Sequence, residues 1–137
     1  MRRIVFPFAG AVAAMALLGA TAFADSRPIV SPTADPYYKY GGLKNTKGFA
    51  QAKPREIFYG GDPTGLVCNI RWKTWGARIA TGYGTGWYVN SHQSVAHGHP
   101  AVAIVKASHL GRWHGRRAYL RLRWSFPQHG SQHAPSC

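Results

Sequence analysis

The sequence predicts an all-β domain, a small antiparallel sandwich or barrel of about five or six strands, following a cleaved signal peptide and a flexible arm. Three observations carry this prediction. Apolar and polar residues alternate with period two in several short runs, no stretch holds an amphipathic helical period, and 16 Gly with 9 Pro supply turns. An apolar fraction of 45% with 5 Trp, 7 Tyr and 6 Phe is enough for a core, which excludes a fully disordered polyelectrolyte. At 137 residues the chain makes one domain at most.

Residues 1–24 read as an export signal: Met1-Arg2-Arg3 is positive, Ile4 to Ala20 is almost wholly apolar, and Ala22-Phe23-Ala24 suits signal peptidase, with cleavage before Asp25. An uncleaved anchor is the competing reading, and Pro7, Gly10 and Gly19 weaken it. The expected location is secreted, with association to the cell envelope as an option and no membrane span after processing. Residues 25–54, with Pro28, Pro32, Pro36, Pro54, Gly41-Gly42 and several lysines, read as a flexible basic arm.

Residues 55–127 read as the β-domain. Arg55 to Tyr59 is a short strand, and Asp62-Pro63-Thr64-Gly65 suits a type I turn. Leu66, Cys68, Ile70 and Trp72 then alternate as an inward face against Val67, Asn69, Arg71 and Lys73. Between residues 77 and 89, Ile79, Thr81, Tyr83, Thr85, Trp87 and Val89 share one parity, while Ala80, Gly82, Gly84 and Gly86 hold the other. Such a bare face calls for a neighbouring segment packed on the glycines, or a bend they permit, ahead of a ligand on the backbone. Asn90 to Pro100 is a polar loop, and Ala101 to Val105 a buried strand. Gly111 and Gly115 bracket a connection. In the last strand Ala118, Leu120, Leu122, Trp124 and Phe126 alternate with Arg117, Tyr119, Arg121, Arg123 and Ser125. Pro127 stops it, and residues 128–137 read as a frayed tail.

Charge narrows the chemistry. Lys and Arg number 17 against 4 Asp and Glu, a formal net charge of +13, and removing the leader takes away no acid. Such a field attracts an anionic polymer or an acidic envelope component without choosing among them. The candidate binding residues are Arg71, Lys73, Arg117, Tyr119, Arg121 and Arg123: if their strands are neighbours they form one cationic face, with a ring able to stack on a base or sugar. The competing reading is that exposed like charges discourage edge pairing.

Catalysis has few candidates, because Asp25, Asp35, Glu56 and Asp62 are the only carboxylates. No nucleophile elbow surrounds any serine. The alternative reading is a small hydrolase of ribonuclease type, with Glu56 as base, His97 or His99 as acid and Arg121 on the phosphate. Its spacing does not define a site. His97-Gly98-His99 is too close and loop-like for a metal centre, so no metal or other cofactor is expected. Trp75, Trp87 and Trp113 could form a sugar-stacking platform or cap the core. Cys68 and Cys137 allow one disulfide, and a buried free thiol with a tail thiol for intermolecular pairing fits the pattern equally.

The runs Gly61-Asp62-Pro63-Thr64-Gly65, Ile70-Arg71-Trp72 with Trp75-Gly76, Ala80-Thr81-Gly82-Tyr83-Gly84, Ala118-Tyr119 and Trp124-Ser125-Phe126-Pro127 resemble a group of short secreted actinobacterial proteins of unknown function. The resemblance covers about half the chain. It implies export and an all-β domain, and no reaction, ligand or catalytic residue.

Overall fold

Period-two alternation becomes a single sheet. In the computed structural model, which describes residues 27–38 and 44–137, six strands form a mixed sheet curled into a half-barrel. They are β1 (Ile29–Val30), β2 (Ile57–Phe58), β3 (Leu66–Trp72), β4 (Ala80–Tyr88), β5 (His99–Trp113) and β6 (Arg116–Ser125). Their order is β1-β6-β5-β4-β3-β2, and every pairing is antiparallel except β1 with β6. No helix among the described residues is long and apolar enough to cross a membrane. The leader at 1–24 lies outside the described residues.

The glycines of β4 set the packing. A Cβ on Gly82 would lie 3.0 Å from Trp72, on Gly84 2.6 Å from the Cys68 carbonyl oxygen, and on Gly86 2.9 Å from Phe126. That bare face therefore receives the core from neighbouring strands, and Thr81, Tyr83 and Thr85 take the outer face. Val30, Ala34, Phe49, Ile57, Val67, Ile70, Ala103 and Val105 form the main buried cluster.

Alternation breaks at two places. Asn69 has φ 51°, and the pairing of β3 with β4 shifts between Cys68 and Arg71. This bulge puts Val67, Ile70 and Trp72 against the core, so Leu66 and Cys68 do not share their face as simple alternation predicts. In β5, Ala107 and Leu110 both join the cluster around Tyr119 although they lie three residues apart. Their partners on β6, Leu122 and Tyr119, join it too. His109 between them has φ 56°, a left-handed kink that lets both strands change face together. Beyond it the hairpin runs to Trp113↔Arg116 and closes through His114-Gly115 with φ 46° and 78°, as a type I′ turn requires. The connection read between Gly111 and Gly115 is thus two residues long.

The described part of the segment read as a flexible arm is built into the domain. Ile29, Val30, Ser31, Pro28, Pro32 and Pro54 are fully buried. Val30 exchanges backbone hydrogen bonds with Ala50 and Gln51, and Lys47 does so with Phe58, so residues 47–51 join the β1 edge to the β2 edge and cover the open side of the half-barrel. The Trp72 and Trp75 indoles donate to the Pro54 and Pro28 carbonyls at 2.8 and 3.0 Å. Two half-buried indole donors thereby satisfy proline-rich backbone that has few partners of its own.

The tail is likewise held. Val102 N–H donates to Gln132 O at 2.8 Å and Ala134 N–H to Pro100 O at 3.3 Å, so the tail occupies the lane beside β5 that β6 leaves at Ser125. It then crosses β4 on the outer face, where Thr85 is 4% exposed, to the Cys68–Cys137 disulfide. Of the two readings of the cysteines, the bridged one holds.

Tyr119 is fully buried, and its hydroxyl donates to Ala77 O at 2.6 Å and accepts from Gly76 N–H at 2.9 Å. It fixes the β3–β4 connection. Tyr119→Phe is expected to cost about 1–2 kcal/mol, because both backbone groups lose their partner. The check is a lower urea midpoint with an unchanged slope.

Candidate anion-binding face

On the outer face, cross-strand register gathers cations from strands that are far apart in sequence. Arg71 on β3 pairs with Tyr83 on β4, Tyr83 with Ile104 on β5, and Ile104 with Ser125 on β6. In the next row the Lys73 N–H donates to Thr81 O, Thr81 pairs with Lys106, and Lys106 with Arg123. Arg121 follows, opposite Ser108. Arg71, Lys73, Lys106, Arg121 and Arg123 are all exposed. Rows two residues apart lie about 6.7 Å from each other, and neighbouring strands about 4.8 Å. Tyr83, 41% exposed, sits among these cations, with the Lys73 ammonium 5.8 Å from its ring centre.

Four of the six residues expected to bind share this face: Arg71, Lys73, Arg121 and Arg123. Tyr119 does not, because the kink at His109 turns it into the core. Arg117, two residues from Tyr119, goes with it; burial raises the pKa of the phenol, and the Gly76 N–H and then the Arg117 charge offset part of that rise. Lys106 and Tyr83 are the members sequence reading missed. Their signal was present, since Tyr83 stands on the parity opposite the β4 glycines and Lys106 interrupts the apolar β5.

The described carboxylates are engaged elsewhere. Asp35 is buried and accepts from Tyr37 N–H, and desolvation raises its pKa over the lowering by that bond. Glu56 pairs with Lys47 at 3.0 Å. Asp62 caps the Pro63–Gly65 turn, where the Thr64 hydroxyl and N–H lower its pKa. Tyr59, stacked on Trp124, is pushed up by burial and then by Tyr37, Asp62 and Asp35. Among the described residues no ion pair involves any of the five outer cations.

The alternative catalytic set has separate partners. Glu56 adjoins β2 and faces Lys47, the His97 ring bonds Ser94, the His99 ring bonds Gly130 O, and Arg121 is on β6. No hydrogen bond, ion pair or ring contact joins any two of the four among the described residues. Those residues also hold no group of three or more His, Cys, Asp or Glu arranged for a metal. The tryptophans do not assemble a platform: Trp75 bonds Pro28 O, Trp87 bonds Val95 O, and Trp113 rests edge-on against His114.

Fold and site together define a small disulfide-bridged β-domain with a cationic outer sheet face. Comparison with family models, curated proteins and solved structures finds no match.

Proposed function

We propose that the protein is exported and binds an anionic polymer through the outer face formed by Arg71, Lys73, Lys106, Arg121 and Arg123. The observation that carries this reading is the row Lys73, Thr81, Lys106, Arg123, which places side by side cations that have no ion pair among the described residues. Like charges directly opposite on adjacent strands destabilise a sheet. Edge protection suits Arg121 and Arg123, because β1 covers β6 only at Ala118 and Tyr119. It does not suit Lys106, which lies on an interior strand between Thr81 and Arg123. Guanidinium forks match phosphate and carboxylate oxygens, so a polymer carrying either meets complementary donors.

The test is the salt dependence of binding to a labelled single-stranded RNA, used here as a generic polyanion. Arg121→Gln with Arg123→Gln is expected to reduce the slope of log K against log salt by about 0.7 per lost phosphate contact. Arg112→Gln with Arg116→Gln, at the hairpin tip, makes the same change in net charge away from the face. Equal effects from the two pairs, or no effect from the first, would overturn the assignment of the face.

A further inference from the structure

Resting on the polyanion reading, we infer that the polymer is a single-stranded nucleic acid and that Tyr83 stacks on one of its bases. A purely anionic polymer asks only for cations. This face instead presents an exposed phenol ring at the centre of the cation array, with Arg71 directly across on β3, Lys73 above it, and Lys106 and Arg123 in the adjoining row. Nothing among the described residues explains that exposure. Tyr83 belongs to neither core cluster, and its hydroxyl has no hydrogen bond among the described residues.

An aromatic ring on an open sheet face flanked by cations is a platform for unstacked bases, because every base has a π-face and the flanking cations take the phosphates on either side. A duplex does not meet this geometry. Its bases are already stacked, and among the described residues the outer face carries no element at Tyr83 that enters a groove. Thr81 and Ser125, in the two rows of the array, add hydroxyls able to bond sugar or phosphate. A base arriving on Tyr83 displaces the Lys73 ammonium from its ring, and that ammonium then meets the adjacent phosphate.

The test measures anisotropy of a short labelled single-stranded RNA, with inorganic polyphosphate and duplex RNA as competitors, for the parent protein, Tyr83→Ala, Tyr83→Phe and Arg123→Gln. Tyr83→Ala is expected to weaken RNA binding about tenfold or more, with Tyr83→Phe close to the parent. Polyphosphate binding should be unchanged in both Tyr83 variants, and duplex should compete poorly. If Tyr83→Ala leaves RNA affinity intact, or weakens RNA and polyphosphate alike, the stacking inference falls. Duplex competing as well as single strand overturns it too. Arg123→Gln separates the two levels: weaker binding of both polymers with an inert Tyr83→Ala keeps the anionic-polymer reading and rejects the nucleic acid, whereas no effect on either polymer rejects the face itself.

Discussion

Replacing Cys68 and Cys137 together by serine is expected to lower stability by about 4 kcal/mol, the chain-entropy value for a bridge spanning 69 residues. The bridge joins β3 to the last residue and so encloses β3 to β6, the strands that carry both the core and the cationic face. In the unfolded chain it removes the conformations in which these ends are far apart. In the folded chain it holds the tail over Thr85 and keeps Gln132 and Ala134 bonded to β5. Guanidinium unfolding of the double variant should show a lower midpoint and an extrapolated stability reduced by that amount, and the parent with reductant should follow it. Amide exchange at Val102 and Ala134 should accelerate ahead of exchange at Gly82 or Val105. A shift of less than about 1 kcal/mol would mean that the unfolded chain already keeps these ends together.

The two faces of the sheet have one origin. Because β4 is glycine on one side, neighbouring strands press their side chains onto its backbone, and Ile70, Trp72 and Phe126 fill the space. From Ala80 to Trp87 the same strand then has its only large side chains on the outer side, so Tyr83 stands beside whatever β3 and β5 present there. Those strands present Arg71 and Lys106. Close packing within and the cationic face without thus follow from a single run of alternating glycines.

Much of this was legible in the residues. The all-β class, the packing role of the β4 glycines and one of the two readings of the cysteines follow from period-two patterns and cysteine count. What failed was parity across kinks. Asn69 and His109 adopt positive φ inside strands, and each reverses which side the following residues face. Asn at such a position is a usable hint, since its side chain tolerates the left-handed region. His109 offers only the three-residue gap between apolar Ala107 and Leu110. The unbroken row Arg117, Tyr119, Arg121, Arg123 therefore splits in a way its own alternation conceals. Ile29-Val30 was hidden for another reason: two apolar residues among prolines have no period, and their strand exists only because β6 offers Ala118 and Tyr119 as partners.

Gly84→Ala tests the packing at its tightest point. The new methyl would lie 2.6 Å from the Cys68 carbonyl oxygen and 3.1 Å from both Ile70 and Val67 side chains. A side chain can rotate aside, but the carbonyl is backbone, so β3 must move. It is held by its pairing with β4 and by the disulfide that Cys68 itself carries. Overpacking of this kind costs about 1–3 kcal/mol, and the reduced freedom of the unfolded chain offsets under about 1 kcal/mol of it. The net expectation is a loss of about 2 kcal/mol in urea unfolding. Thr81→Ala, on the opposite side of the same strand, should stay within about 0.5 kcal/mol. The displacement also has a functional reading, since moving β3 separates Arg71 from Tyr83 across the β3–β4 pairing. Folded Gly84→Ala protein should therefore bind single-stranded RNA more weakly than the parent does. A Gly84→Ala protein as stable as the parent would show that β3 has room to retreat, and that the glycines are not what brings the two strands together.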